Sequence, residues 1–283
     1  MVGRATRSLL PAVALLAFTA SCTEAGAPDA RGVDHAVVDA AAIPVTVGPP
    51  SSAHIERPTP MVSTIDAEAS PVLSPVENEA ASAPAPSLVA HVAAPEISVF
   101  RHPGGRDLMT SFTMRGIFRE PRVFLIRERR GRWLRVLLPI RPNGTEGWIR
   151  SQDVEVTRHR FAVRVDLSER RLTLTRGARV VLRRSVAVGG SGSPTPPGLF
   201  FTTILATATD PSGPYGPVAY GLSGFSAVFT EFAGGNGQIA IHGTNAPHLI
   251  GQAVSAGCVR MRNEDVVRLA HVAPLGTPVR IVR

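Results

Sequence analysis

The 283-residue sequence contains no lysine, and all 30 of its basic side chains are arginine. The absence of lysine excludes Schiff-base chemistry on a lysine amine and P-loop phosphate binding, both of which need that residue. Cysteine is nearly as scarce, since Cys22 and Cys258 are the whole set. Because no cluster of cysteines and histidines has the spacing of a metal site, the sequence predicts no bound metal.

Long apolar runs are also missing, apart from one near the N-terminus. Ser8 to Ala20 is apolar but too short to span a bilayer, and two arginines precede it, so residues 1–22 predict a signal peptide. Thr19-Ala20-Ser21-Cys22 resembles a bacterial lipoprotein cleavage box, in which the cysteine is acylated, although the threonine stands where Leu or Val is commoner. We therefore expect an exported chain that is lipid-anchored at Cys22, with plain cleavage and release as the alternative.

Residues 23–97 are dominated by Ala, Pro, Ser and Val and show no sustained period of an amphipathic helix or strand. Acidic residues outnumber arginines in this segment, and its composition offers too little apolar surface to offset the entropy of ordering. We predict a disordered tether, which would span roughly 50 Å on average and roughly 250 Å when fully extended. A linker without a selected length is the alternative.

Residues 98–157 predict several short strands separated by Arg-Gly and Asn-Gly turns. The strand-like runs are Val123 to Ile126, Trp133 to Val136 and Gly147 to Ile149. The order GRWLRV…GTEGWIRSQDVEV resembles a bacterial SH3-like domain, a small barrel often attached to wall-modifying enzymes. The resemblance implies wall targeting or packing against the domain that follows, and no chemistry.

Residues 159–283 predict a second, mostly-β domain with one short helix. Strands are expected at Phe161 to Leu167, Arg171 to Thr175, Val180 to Leu182, Gln238 to Ile241 and Pro278 to Val282. The helix is expected to begin at Asn263 as its N-cap and to bury an apolar face of Val266, Val267 and Ala270.

Cys258 and His242 are the residues best suited to chemistry. A lone thiol in an exported protein suggests a reactive role, although a buried apolar side chain is the alternative. A nucleophilic thiol needs a base, a partner that orients the base, and donors for an oxyanion. His242 ends a strand on the face opposite Ile239 and Ile241, and Gly257 removes bulk so that backbone N–H groups can face a substrate carbonyl.

The segment IHGTNAPHLIGQAVSAGCVRM resembles the signature of the L,D-transpeptidase catalytic domain of the YkuD type. Upstream, VDLSERRLTL resembles the opening strand pair of that family, and VGGSGSPTPPGLF resembles its Thr-Pro-x-Gly-x-aromatic element. The four elements occur in the family's order and extend through most of residues 159–283. The C-terminal domain is therefore identified by resemblance as a member of this family.

The resemblance implies a role for each matching residue. Cys258 matches the nucleophile, and His242 matches a general base that a backbone carbonyl orients, so no aspartate partner is expected. The remaining matches are Gly257 with Cys258 as backbone donors of the oxyanion hole, and Ser255 and Arg260, which shape the site and hold the carboxylate end of the donor. Gly243 and Thr244, beside the base, are also expected to bind the substrate. A turn-stabilising hydroxyl and a structural arginine are the alternatives for Ser255 and Arg260.

The resemblance also implies a reaction on peptidoglycan stem peptides in the cell envelope, without metal or organic cofactor. A tetrapeptide stem would acylate Cys258 with loss of D-alanine, and an amine of a neighbouring stem would resolve the thioester into a 3→3 cross-link. Water would make the protein an L,D-carboxypeptidase, and a protein amine would attach that protein to the wall.

Ala256 stands where the family usually has His, so a non-catalytic wall-binding lipoprotein is the rival reading. We expect activity to survive this change, because that His supports the pocket and is not the base. His248, between the two motifs, is not expected to be catalytic.

Charge changes sign along the chain, and the region from residue 98 onward is rich in arginine. A basic folded region usually has a polyanionic partner. Nucleic acid is a poor candidate outside the cell, whereas anionic wall polymers or stem-peptide carboxylates fit that compartment. A solvated, arginine-rich surface without a partner is the alternative.

Overall fold

Two large β-sheets and one α-helix make up the part of the chain that the computed structural model describes, residues 85–116, 119–232 and 235–283. The predicted signal peptide, Cys22 and most of the predicted linker lie outside these residues. Within them, no helix is both long and apolar enough to cross a membrane.

The N-terminal sheet has seven strands in the order β3-β2-β6-β5-β4-β1-β7, and every neighbouring pair is antiparallel. Its strands are β1 (Ser87–Val92), β2 (Glu96–Phe100), β3 (Leu108–Thr113), β4 (Val123–Arg130), β5 (Trp133–Leu137), β6 (Glu146–Arg150) and β7 (Val154–His159). The three strand-like runs predicted in this region are confirmed as parts of β4, β5 and β6. Its SH3-like character stays a prediction.

The predicted boundary between linker and folded domain is wrong, because β1 and the start of β2 lie before residue 98. Val89 and Ala90 in β1 are fully buried, and the strand inserts between β4 and β7. Ser87 pairs with His159, so the partners that stabilise β1 are far away in the sequence. The sequence of β1 gives no sign of these distant partners. The prediction from composition therefore placed the start of the folded domain too late.

The C-terminal sheet has eight strands in the order β10-β9-β8-β17-β12-β13-β14-β16. Its strands are β8 (Phe161–Asp166), β9 (Arg171–Arg176), β10 (Arg179–Ser185), β12 (Gly198–Thr207), β13 (Val218–Phe225), β14 (Gln238–His242), β16 (Val259–Arg260) and β17 (Pro278–Val282), and β11 (Val188–Gly189) pairs separately with β15 (Ala253–Ser255). The five strands predicted in this domain are confirmed. The β14–β16 and β8–β17 pairs are parallel.

The single α-helix of the described residues, α1 (Asn263–Val272), packs Val266 and Leu269 into the core of the C-terminal sheet. The prediction that Asn263 caps this helix is wrong, since Arg262 occupies the N-cap position and makes no side-chain cap bond. Instead, Asn263 Oδ1 accepts a hydrogen bond from the Thr244 N–H at 2.7 Å. Its side chain therefore binds the loop after β14, a tertiary contact that sequence spacing does not reveal.

The two sheets share apolar packing. Phe201 of β12 is fully buried in the core of the N-terminal sheet, and Leu199 packs against the same core. Leu275, after α1, packs against both cores. The N-terminal sheet thus packs directly against the C-terminal sheet.

Candidate active site

The adjacent strands β14 and β16 bring the two motifs together. Their parallel register pairs Ile241 with Val259 and His242 with Arg260. Ile241 and Val259 are fully buried in the core, so alternation along each strand turns His242 and Arg260 to the opposite face. Cys258 directly precedes β16 and hydrogen-bonds the Ala240 backbone of β14, so the predicted nucleophile lies beside the strand that ends at the predicted base.

His242 is buried, and its ring has a defined orientation. Its Nδ1 lies 2.6 Å from the carbonyl oxygen of Gly243, which can only accept a hydrogen bond. Nδ1 must therefore carry the proton, and the neutral ring keeps Nε2 as a proton acceptor. A backbone carbonyl orients the imidazole, as the family resemblance implies.

Burial favours the neutral form of both reactive groups. It lowers the pKa of His242 to about 4, against a smaller raising effect of the Gly243 hydrogen bond. It also raises the pKa of the Cys258 thiol, although a hydrogen bond with the Ala240 backbone and the charge of Arg260 act in the opposite direction. The resting site at neutral pH thus holds a thiol and a neutral imidazole, and the thiol must lose its proton during attack.

Arg260 is the source of positive charge in this site. Its charge acts to lower the pKa values of His242, Cys258 and Tyr215, although burial dominates each of the three shifts. Its Nε is buried and has no hydrogen-bond partner among the described residues. This Nε–H group therefore lacks the acceptor that a buried donor usually has.

Tyr215 belongs to the site, and sequence reasoning missed it. Its ring lies 4.9 Å from the His242 ring, centroid to centroid, at an interplanar angle of 53°. Burial raises the pKa of its phenol, and the charge of Cys258 adds to that effect. The sequence signal for it, a Gly-Pro-Tyr-Gly-Pro turn just before β13, is weak without the pairing of β13 with β14.

Ser255 and Gly257 shape the turn that presents Cys258. Ser255 Oγ donates to the Cys258 carbonyl at 2.5 Å and accepts from the Gly257 N–H at 3.2 Å. Gly257 has φ 113°, a conformation that favours glycine. The contacts of Ser255 therefore fit the alternative of a turn-stabilising hydroxyl. The Gly257 N–H, which we expected to face a substrate carbonyl, already donates to Ser255.

Gly243 and Thr244 make supporting contacts next to His242. Thr244 is buried, its N–H donates to Asn263, and its Oγ1 accepts from the Ala246 N–H at 3.0 Å. A Cβ at Gly243 would overlap Asn263 Oδ1, so the backbone of Gly243 packs closely against the Asn263 side chain. These contacts hold the backbone at the end of β14, and a contact of either residue with substrate stays a prediction.

The remaining residues named from the sequence are less central. His248 is exposed in a short 3-10 helix, Pro247–Leu249, and Ala256 is half-buried in the turn before Cys258. Within the described ranges, no group of three or more His, Cys, Asp or Glu side chains is arranged to hold a metal ion.

The buried, neutral His242 predicts a pH-dependent free energy of unfolding. Its pKa is about 4 in the folded chain, against an ordinary value of 6.5, so the unfolded state binds more protons between these values. The stabilising effect of the neutral ring is complete above pH 6.5 and falls as the pH drops towards 4, by at most ~1.4 kcal/mol per pH unit.

We expect His242→Gln to flatten this profile, with a difference of about 3 kcal/mol accumulating between neutral pH and pH 4. Urea unfolding of both proteins across that range measures the difference. Burial also lowers the pKa values of His91 and His159, but both proteins keep these residues, so their contribution cancels. Parallel stability profiles would contradict the prediction.

Comparison with known proteins agrees with this geometry. Residues 160–281 match the family model of the L,D-transpeptidase catalytic domain, YkuD. A Bacillus subtilis protein named as an L,D-transpeptidase, YkuD, is 40% identical over 123 residues, which cover 44% of this chain and 66% of that protein. The chain thus spans slightly less than two thirds of that relative.

Two further similarities cover different extents. An Escherichia coli protein named as an L,D-transpeptidase, YbiS, is 56% identical over 43 residues, 15% of this chain and 14% of that protein. The solved structure of an L,D-transpeptidase from Mycobacterium smegmatis aligns with a TM-score of 0.36 at 12% identity, covering 53% of this chain and 90% of that one. The similarity rests on the family model, whose matched range includes His242 and Cys258, and on the sequence relatives. Residues 160–281 are therefore similar in sequence to the L,D-transpeptidase catalytic domain.

Proposed function

We propose that this protein is a peptidoglycan L,D-transpeptidase that uses Cys258 as its nucleophile and His242 as its base. The observation that carries the proposal is the pairing of β14 with β16, whose register sets His242 beside Arg260, with Cys258 directly before β16. These residues lie within the range that matches the L,D-transpeptidase catalytic domain model. A thiol, an oriented imidazole and an available guanidinium are what acyl transfer from an anionic peptide requires.

Acylation begins when His242 Nε2 accepts the proton of the Cys258 thiol. The sulfur then attacks the carbonyl carbon of the third residue of a tetrapeptide stem, and the carbonyl oxygen becomes an oxyanion. We assign the Cys258 N–H as its principal backbone donor, because the Gly257 N–H is engaged with Ser255. Collapse of the intermediate breaks the peptide bond, and the imidazolium protonates the departing D-alanine amine.

Deacylation repeats these steps with a second substrate. The side-chain amine of a neighbouring stem attacks the thioester carbonyl, His242 takes up its proton, and the sulfur leaves to recover the thiol. The products are a 3→3 amide cross-link and the free enzyme. Arg260 is placed to bind the terminal carboxylate of the donor, since its Nε has no partner among the described residues.

The envelope location is also proposed from sequence. A chain lipidated at Cys22 would remain at the membrane and act on the wall above it, and the arginine-rich region from residue 98 would face anionic wall polymers. The intact mass of the mature N-terminus tests this: lipid on Cys22 supports anchoring, whereas an unmodified N-terminus at another residue supports secretion.

Mass spectrometry of muropeptides after incubation with the purified full chain tests the reaction itself. We expect loss of D-alanine from tetrapeptide stems and the appearance of 3→3 linked dimers. Release of D-alanine without dimers would support the L,D-carboxypeptidase alternative. No change in any muropeptide would support the rival, a wall-binding lipoprotein with a degenerate enzyme domain.

Ala256→His tests the one departure from the family motif. Because the base is assigned to His242, we expect this variant to change turnover by less than the 10²–10⁴-fold typical of a catalytic base, on the order of tenfold at most. Ala253→His, at an exposed position of strand β15, controls for adding an imidazole to the same segment. An inert wild type that Ala256→His activates by orders of magnitude would show that the natural sequence is a degenerate enzyme.

A further inference from the structure

The described residues between β13 and β14, 226–232 and 235–237, form what we call the β13–β14 loop. It leads directly into Gln238, the first residue of the strand that ends at His242. Its described residues include the exposed side chains of Val228 and Phe232. Its conformation therefore affects where β14 begins and what lies beside Gln238, at the end of β14 away from His242.

Arg141, in the N-terminal sheet's β5–β6 connection, binds this loop. Its Nη1 donates to the carbonyl oxygen of Ser226 at 2.7 Å, and its Nη2 donates to those of Phe229 at 2.8 Å and Asn236 at 3.1 Å. Its guanidinium carbon also lies 4.9 Å from the centre of the Phe225 ring. One side chain thus joins both ends and the middle of the loop.

Asn143, two residues later, binds the end of β13 in a reciprocal way. Its Nδ2 donates to the Phe225 carbonyl at 2.8 Å, and its Oδ1 accepts from the Phe225 N–H at 2.9 Å. The amide satisfies both backbone groups of this residue, as a neighbouring strand would. Arg141 and Asn143 together hold the place where β13 leaves the sheet.

Gly237 shows that the loop is built around this contact. It has φ 73°, and a Cβ there would overlap the Phe229 carbonyl oxygen and lie 2.8 Å from Arg141 Nη2. A side chain at 237 would therefore displace the guanidinium. The Ser226 N–H donates to the Gly237 carbonyl at 2.8 Å, which closes the loop at its base.

The β13–β14 loop lies at the end of β14 away from His242. Gln238, Ala240 and His242 alternate with buried residues along β14, and the backbone of Ala240 hydrogen-bonds Cys258. At about 3.3 Å per residue, Gln238 is about 13 Å from His242. A peptide extended along this face from Cys258 would therefore meet the β13–β14 loop within about four residues.

We propose that Arg141 and Asn143 are positioning residues, through which the N-terminal sheet fixes the β13–β14 loop as a wall of the groove that holds the donor peptide stem. The proposal rests on the proposed function, because it concerns the substrate of that reaction. It assigns the N-terminal sheet a part in substrate binding through packing and hydrogen bonds. Loosening the loop would weaken binding of the stem and leave the chemistry at Cys258 intact.

The test compares Arg141→Leu with wild type in the purified full chain, on a tetrapeptide donor. Since three hydrogen bonds from a charged group are lost, we expect KM to rise about tenfold or more and kcat to change less than about threefold. Alkylation of Cys258 by iodoacetamide, a small reagent that does not need the groove, is expected to keep its rate. Hydrogen exchange at the Val228 and Phe229 amides, which donate to Ser226 Oγ, should become faster.

Two variants complete the design. Arg132→Leu removes an exposed arginine from the β4–β5 turn of the same sheet and should behave as wild type. Arg141→Lys keeps the charge and most of the side chain's length but has fewer donors, so an intermediate KM is expected. If Arg141→Leu does not fold, Arg141→Lys replaces it in the comparison with wild type.

The possible failures are distinct. A wild type without D-alanine release removes the proposed function, and with it a donor groove. An active wild type whose KM is unchanged in Arg141→Leu overturns the positioning role alone. A fall in kcat with slower alkylation of Cys258 and unchanged KM also overturns it, because the contact would then support the catalytic centre and not the substrate wall.

Discussion

Cys258→Ala is expected to abolish D-alanine release, together with every covalent adduct between the protein and the donor stem. The variant has no atom that can form the thioester, and the removal of a member of a catalytic unit typically costs 10³-fold or more. Muropeptide analysis measures the reaction, and the intact mass of the protein after incubation with donor measures the adduct. The fold should be kept, because alanine fits wherever the half-buried thiol does.

Cys22→Ala is the matched control, since it removes the only other cysteine of the chain. It is expected to lose any N-terminal lipid and to keep full turnover on soluble donors. Full activity in Cys258→Ala would refute the thioester mechanism. Loss of activity in Cys22→Ala on a soluble donor would show that the N-terminal cysteine has a part in the chemistry, contrary to our assignment.

His242→Ala is expected to lower kcat/KM by roughly 10³-fold or more, close to the loss in Cys258→Ala. The burial that keeps the imidazole neutral also leaves the Cys258 thiol protonated at neutral pH, so attack needs a base at Nε2. Initial rates of D-alanine release on a single tetrapeptide donor measure the loss. The double variant with Cys258→Ala should be no worse than Cys258→Ala alone, because the two residues act as a unit.

His248→Ala is the control for this second prediction, because His248 is exposed on the 3-10 helix between the two motifs. It is expected to retain nearly normal turnover. Near-normal turnover in His242→Ala, with a severe loss in His248→Ala, would show that the base has been misassigned.

The sequence singled out His242 and Cys258 as candidates because each residue lies in a short motif with unusual chemistry. The two residues are sixteen positions apart, and the parallel pairing of β14 with β16 brings their motifs together. Tyr215 could not be predicted from the sequence, because no motif marks it. Its contact with the His242 ring depends on β13 pairing with β14, and an aromatic residue in a Gly-Pro-rich turn carries no sign of that pairing.

Predictions of secondary structure succeeded where the apolar pattern was strong and failed where a strand depends on distant partners. The runs in β8 and β9 alternate, and Val123 to Ile126 in β4 is a continuous apolar run, whereas β1 is a short segment stabilised by β4 and β7. Asn263 illustrates the same limit at one residue. Its type and position suit a helix cap, but the nearby Thr244 N–H offers it a tertiary partner.

The packing of Phe201 and Leu275 against the N-terminal core has a consequence for truncating or exchanging the C-terminal domain. A chain shortened to residues 160–281, the range that matches the family model, would expose the fully buried Phe201 ring. Exposing one such side chain costs about 2–3 kcal/mol, and the shortened chain would also lose every hydrogen bond from Arg141 and Asn143. In this protein, the boundary of the shared family sequence is therefore not a boundary of folding, and the two halves must be exchanged or expressed together.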